Sequence, residues 1–241
     1  MTDFAPHQMW IHDEIDTYFV ANHEIKNALC DKGIADKHIF VTGIPISSKF
    51  AKNNRSKSLK RTIAHTVLIM GGGLGLGAVE KAVVSLMSAK TKLEIIVVAG
   101  NNIKLRQRLA FLKSDHLHAT TIIGYTDRVN ELMANSSILI TKPGALTCSE
   151  ALVMELPMLL LNPIPGQEED NADYLTRQGV ALRISQTSSL PQVIDELFAK
   201  PEILAAMQAN AHLLSRPNAA KEIATILLDK LDHHNAIFPA S

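Results

Sequence analysis

The sequence predicts an α/β fold, a parallel sheet with helices on both faces, and three observations carry that reading. Short apolar runs rich in β-branched residues recur between helical stretches from residue 63 to residue 184. Glycine or proline punctuates the carboxyl ends of these runs, as at Gly71 to Gly77, Gly100, Gly124 and Pro143-Gly144. The stretch Thr141 to Glu150 then joins a buried strand, Ser137 to Ile140, to a helix of good formers from Ala145 to Leu156. Alternation of this kind folds into a parallel sheet covered by its crossover helices.

The elements follow in order. Residues 1 to 46 contain a strand at Thr17 to Ala21, a helix at His23 to Lys32 stopped by Gly33, and a strand at His38 to Thr42. A unit this small buries too little apolar surface to stand alone. Residues 47 to 62 are polar and basic, with Lys49, Lys52, Arg55, Lys57, Lys60 and Arg61 and no acid. They read as a linker, either a solvated hinge or a basic run held to an anionic membrane surface, where each charge adds about 1 kcal/mol.

The large unit spans residues 63 to 241. A strand at 63–70 enters the glycine-rich turn, and a helix at Ala78 to Ala89 leaves it. Strands follow at Leu93 to Ala99, Ala119 to Ile123, Met158 to Leu161 and Ala181 to Ile184. Helices are expected at Ile103 to Lys113, Arg128 to Ala134, Pro191 to Ala199, Glu202 to Leu214 and Ala219 to Leu231, with another opened by Gly166-Gln167.

Composition removes several function classes. Lysine plus arginine equals aspartate plus glutamate at 24 each, so no net field recruits nucleic acid. Two cysteines, Cys30 and Cys148, make neither a disulfide framework nor a zinc site, and a reducing cytoplasm is the default. No apolar run is long enough to span a bilayer, and the first residues lack a signal peptide's basic start and apolar middle. Any membrane contact is expected to be peripheral.

The glycine-rich turn matches neither familiar phosphate motif. G-x-G-x-x-G fails in both registers, because Leu76 or Leu74 falls where glycine is needed, and the P-loop fails because Ala78 and Val79 replace Lys and Ser/Thr. What remains is close backbone approach to an anion. Thr147 and Glu150 fit a capping box that would merely start a helix. The same residues also fit a ligand site at the carboxyl edge of the sheet, with glycine leaving room for a phosphate. Gly124-Tyr125-Thr126 is either a plain strand-to-helix turn or a wall for a nucleotide base. Glu168, Glu169 and Asp170 are acids that a helix dipole favours in a first turn anyway. His7 and His12 read most simply as surface or cleft-lining histidines, and no metal site or cofactor is expected, since the chain has no Asp-x-Asp pair.

The stretch TKPGALTCSEAL, with Asn162-Pro163-Ile164-Pro165-Gly166-Gln167-Glu168 one strand later, resembles the donor-site signature of glycosyltransferase family 28. The likeness is to its monogalactosyldiacylglycerol synthases and bacterial diacylglycerol glucosyltransferases. The opening T-D-F, His7, Trp10 and His12, the strand D-x-Y-F-V-A and V-T-G-I-P-I resemble the last third of that family's amino-terminal domain.

This resemblance implies a GT-B-type donor domain at 63–241, preceded by a remnant of an acceptor domain at 1–46 whose larger part is absent. The implied reaction moves a hexose, glucose or galactose, from a UDP-sugar to diacylglycerol or a related lipid at the cytoplasmic membrane face. Glu150 would then hold the ribose. Backbone N–H groups at Gly73, Leu74 and Gly75 and at Gly144, Ala145, Leu146 and Thr147 would hold the diphosphate without a metal. Tyr125 and Thr126 would lie along the uracil, and Gln167, Glu168 and Asn171 would orient the sugar. The last helix would cross back toward the amino-terminal unit. The catalytic base is open, with His7, His12 and Asp3 as the only candidates in the chain's first residues. Two other expectations follow from the same fold: a donor-binding subunit needing a separate acceptor chain, and a UDP-hexose epimerase.

Overall fold

The computed structural model describes residues 1–6, 10–12, 14–52, 65–71, 79–110, 117–161 and 163–237. Two parallel sheets are present among them. The smaller pairs β1 (Tyr18–Val20) with β2 (Ile39–Val41), Tyr18 facing Ile39, and α1 (His23–Asp31) crosses between them. Asn22 caps α1, its Oδ1 accepting from the Ile25 N–H at 2.9 Å, and Ile25 and Leu29 turn inward at the four-residue spacing of one helix face.

The basic stretch after β2 opens with a helix that the sequence reading did not expect, α2 (Ser48–Lys52), whose Phe50 is buried. The remainder of the linker, residues 53–64, lies outside the described residues. So do the turn at 72–78, with Gly73, Leu74 and Gly75, and His7.

The larger sheet has six parallel strands among the described residues: β3 (His65–Met70), β4 (Leu93–Val98), β5 (Ala119–Ile123), β6 (Ile138–Thr141), β7 (Met158–Leu161) and β8 (Ala181–Ile184). The crossovers are α3 (Val79–Leu86), α4 (Ile103–Ala110), α5 (Val129–Ala134), α6 (Ala145–Val153) and α7 (Gln167–Arg177). The chain finishes with α8 (Leu190–Ala199), α9 (Pro201–Leu214) and α10 (Ala219–Ile237). None of the described helices is long and apolar enough to cross a membrane.

Alternation along each strand sends side chains to opposite faces and builds two cores. Val67 and Ile69 of β3 join Ile95, Val97, Ile138 and Ile140 under α3 and α8. Leu68 and Met70 join Leu139, Met158 and Leu160 in the other core, together with Tyr18, Val20, Ile25 and Leu29 of the amino-terminal unit. The small sheet therefore shares a core with one face of the large one. Gly43 marks the seam: its φ is 86°, and a Cβ there would stand 2.5 Å from the Cβ of Arg216. The last helix does reach back to the small sheet, with Lys230 Nζ 5.5 Å from the centroid of the Phe40 ring.

Strand order is β5-β4-β3-β6-β7-β8. The chain steps outward from β3 to β5, returns to place β6 beside β3, and then steps outward on the other side. The direction reverses between β3 and β6, and in open α/β sheets ligands bind at the carboxyl edge beside such a reversal.

Candidate functional site

The turn between β6 and α6 lies at that edge. Its helix begins at Ala145 with Gly144 as N-cap (φ −72°, ψ 127°) and no side-chain cap. Thr147 is therefore the third helical residue and not a cap, which removes the capping-box reading of Thr147 and Glu150. The Gly144 carbonyl accepts from the Cys148 N–H at 3.0 Å, and the N–H groups of Ala145, Leu146 and Thr147 precede the first intrahelical bond. They point out of a helix end that carries partial positive charge. A Cβ on Gly144 would meet nothing within 4 Å, so the protein's own packing does not require glycine here.

Glu150 lies one turn further on, on the face of Leu146 and Thr147. Leu146 is 55% exposed. No donor among the described residues bonds the Glu150 carboxyl, and burial pushes its pKa up to about 7. The Cys148 thiol is pushed up by its complete burial and then by the charges of Glu168 and Glu150. Thr141, buried at the end of β6, keeps an Oγ1 with no hydrogen-bond partner among the described residues.

The neighbouring turn, from β7 into α7, is differently filled. Gly166 caps α7 at φ 96°, a conformation that favours glycine, and Gln167 follows it into solvent. Glu168 is engaged on both oxygens: Lys142 Nζ lies 2.5 Å from Oε1, and the Ile164 N–H donates to Oε2 at 3.1 Å. This ion pair ties the two turns together. Lys142 was absent from the sequence-based site, although its place just before Pro143-Gly144, with an acid early in the next helix, was a usable signal.

Asn171 is bonded within the protein. It is 1% exposed, its Nδ2 donates to Pro143 O at 3.2 Å and to Asp3 Oδ1 at 3.3 Å, and its Oδ1 accepts from the Phe4 N–H at 2.9 Å. Each of its polar atoms has a protein partner, so the bonds seen here do not orient a sugar. Asp3, a candidate base, is one of those partners.

After β5, Tyr125 is 74% exposed and the Thr126 Oγ1 accepts from the Arg128 N–H at 3.1 Å. Arg106 lies over the same turn, 3.1 Å from where a Gly124 Cβ would stand. Lys49 of α2 pairs with Asp127 at 3.3 Å, bringing the start of the basic linker to this turn. The described residues hold no cluster of three or more His, Cys, Asp or Glu side chains arranged for a metal.

Known proteins share both the sequence and the architecture. Residues 66–223 match the glycosyltransferase family 28 C-terminal domain, and residues 1–46 match monogalactosyldiacylglycerol (MGDG) synthase. A processive diacylglycerol beta-glucosyltransferase from Bacillus cereus (strain AH187) is 38% identical over 92% of this chain and 56% of its own length. One from Bacillus thuringiensis (strain Al Hakam) is 36% identical over 99% of this chain and 62% of its own. The chain thus spans little more than half the length of these relatives. Among solved structures, MurG of Acinetobacter baumannii superposes with a TM-score of 0.63 at 16% identity, covering 89% of this chain and 73% of that one. The UDP-GlcNAc 2-epimerase of Neisseria meningitidis, bound to UDP-GlcNAc, superposes at 0.66 with 19% identity, covering 89% and 61%. At such identities the likeness bears on the fold, which is the GT-B-type parallel α/β domain expected from the sequence. With the family match covering most of the chain, this protein belongs to glycosyltransferase family 28 and carries its C-terminal domain.

Proposed function

We propose that this chain is the donor-binding part of an enzyme that transfers a hexose from a UDP-sugar to diacylglycerol or a similar lipid, in glycolipid synthesis at the cytoplasmic membrane surface. The observation that carries the proposal is the 38% identity over 92% of the chain to relatives named for that activity. The geometry supports it. An uncapped helix end with room beside Gly144 suits a diphosphate, and a half-buried carboxylate with no donor among the described residues suits the two ribose hydroxyls.

In this reading residues 63–241 bind the donor, residues 47–62 are a basic linker near the membrane, and residues 1–46 belong to an acceptor domain. Glu150 holds the ribose, and the amides of Gly144 to Thr147, with those of Gly73 to Gly75, hold the diphosphate as preorganised donors for the leaving group. Tyr125 and Thr126 border the base, Gln167 faces the hexose, and Glu168 ties the turn beside it to Lys142. The base that deprotonates the acceptor hydroxyl is left open among His7, His12, Asp3 and residues of an acceptor domain.

Labelled UDP-glucose and UDP-galactose, presented with diacylglycerol vesicles, test the proposal: labelled glycolipid is expected, and the preferred donor identifies the hexose. An epimer formed with no acceptor present would replace the transferase reading. A second arrangement, in which this chain binds UDP but turns over only when an acceptor-domain chain is added, would show as labelled glycolipid formed only in the presence of that chain.

A further inference from the structure

We propose that Asn171 is a positioning residue through which the segment Asp3-Phe4 sets the diphosphate-facing turn, so that seating of that segment and nucleotide binding reinforce each other. The inference rests on the nucleotide-binding reading of the β6–α6 turn.

The Phe4 peptide is gripped from two sides. Its N–H donates to Asn171 Oδ1 at 2.9 Å, and its carbonyl accepts from Asn22 Nδ2 at 2.9 Å. Asn22 is itself the N-cap of α1, so one asparagine comes from each unit. The Phe4 ring stacks on Tyr174, centroids 5.4 Å apart and planes 8° from parallel, and Tyr174 lies three residues beyond Asn171 on the same face of α7. Upstream, the Met1 ammonium donates to Phe19 O of β1 at 2.7 Å. The segment is thereby fixed to α7 and to the small sheet at once.

The remaining donor of Asn171 goes to Pro143 O at 3.2 Å. Proline has no N–H of its own, so its carbonyl is its only backbone hydrogen-bonding group, and the next residue, Gly144, is the N-cap of α6. Asn171 and Phe4 are buried, so water cannot replace a lost partner there, and an unmade bond carries its full desolvation cost. A shift of Asp3-Phe4 therefore either breaks the Asn171 bonds or moves Pro143 with it. Coupling of two sites is reciprocal, so a nucleotide that favours one placement of the turn also favours the seated segment.

Calorimetric titration with UDP and with UDP-glucose tests this in the full chain and in Asn171→Ala, Phe4→Ala and the double variant. Asn171→Ala is expected to weaken both ligands by the same factor, about tenfold. Phe4→Ala is expected to weaken UDP in the same direction, and the double variant to bind no more weakly than Asn171→Ala alone, because both act through one contact. A role confined to stability would lower the melting temperature and leave UDP affinity unmoved, and that result overturns the proposal. A loss restricted to UDP-glucose also overturns it and returns Asn171 to the sugar. Hydrogen exchange on the unmodified chain gives a readout that needs no variant. Saturating UDP should slow exchange at Asp3 to Ala5 several-fold, and unchanged exchange in a chain that binds UDP overturns the coupling. A chain that binds no UDP at all would instead overturn the nucleotide-binding reading, and this inference with it.

Discussion

Two adjacent turns at the carboxyl edge of the large sheet each lead into a helix that carries an acid, and the protein treats the two acids in opposite ways. Glu168, after β7, has an ammonium on one oxygen and a backbone N–H on the other. Glu150, after β6, is partly buried with no donor among the described residues, and its pKa is pushed up to about 7. An acid that satisfies itself inside the protein explains its own presence. One that is desolvated and left unmatched costs stability, and that cost makes sense where a ligand brings the missing donors.

The largest effect expected from this contrast is at Glu150. Glu150→Gln should weaken UDP binding by about 1.5 to 3 kcal/mol, the worth of hydrogen bonds to a charged group. Stability should move the other way. Because burial raises the folded-state pKa above the unfolded one, the ionised acid penalises the fold, and the penalty grows as pH rises from the ordinary carboxylate range to about 7 and is constant above that. Its full size is on the order of 3 kcal/mol. Glu150→Gln should therefore raise the melting temperature at pH 8 and leave it nearly unchanged at pH 4. UDP should bind more tightly as pH rises toward 7, with proton release measurable by calorimetry in buffers of different ionisation enthalpy. A variant that binds UDP like the parent would erase the distinction between the two acids.

A smaller effect is expected at Gly144. Alanine is a poorer N-cap than glycine, and removing a glycine restricts the unfolded chain, so the two contributions oppose and Gly144→Ala should change stability by less than about 0.5 kcal/mol. The fold offers a methyl group open space there. If a diphosphate fills that space, UDP affinity should still fall several-fold. Unaltered affinity on titration would move the phosphates to another part of the carboxyl edge.

The strand positions were legible because short apolar runs bounded by glycine and proline have few other uses. Ala119 to Ile123, Met158 to Leu161 and Ala181 to Ile184 stand where the sequence put them. α2 was not legible, since Ser48–Lys52 offers one large apolar residue and no periodicity, and only tertiary burial of Phe50 accounts for it. The final helix outran its expected end at Leu231 because the apolar pattern stops there while propagation does not. Neither glycine nor proline intervenes before Pro239, and adding a residue to an existing helix costs little. At the candidate site, Glu150 and the turn around it were visible as a motif. Asn171 was placed in the motif but not in its contacts, because its partners Asp3 and Phe4 are 168 and 167 residues away and no local pattern encodes such a pairing.

Gln167 gives the next prediction in size. It is exposed at the first position of α7, so its loss should leave the fold intact. Gln167→Ala is expected to reduce UDP-hexose affinity by about 1 kcal/mol, one ordinary hydrogen bond, with UDP affinity unchanged. Equal losses for the two ligands would put Gln167 on the nucleotide side.

Glu168→Gln is expected to be the mildest of these changes, and it probes the comparison from its satisfied side. The side chains of Lys142 and Glu168 are 39% and 16% exposed, so the pair is neither freely solvated nor fully desolvated. Exposed pairs contribute up to about 1 kcal/mol, and breaking deeply buried ones costs several times more. Glutamine keeps one carbonyl oxygen for either Lys142 or the Ile164 N–H but turns an amide donor toward the other. The net cost should be about 1 kcal/mol, or roughly 2 to 4 °C in melting temperature for a domain of this size. If Glu168 only ties the two turns together, UDP and UDP-hexose should follow stability and lose little. A variant with an unchanged melting temperature and a selective loss of UDP-hexose binding would instead show that Lys142 releases Glu168 to the sugar, and the two acids would then differ in when they meet the ligand, not in whether they do.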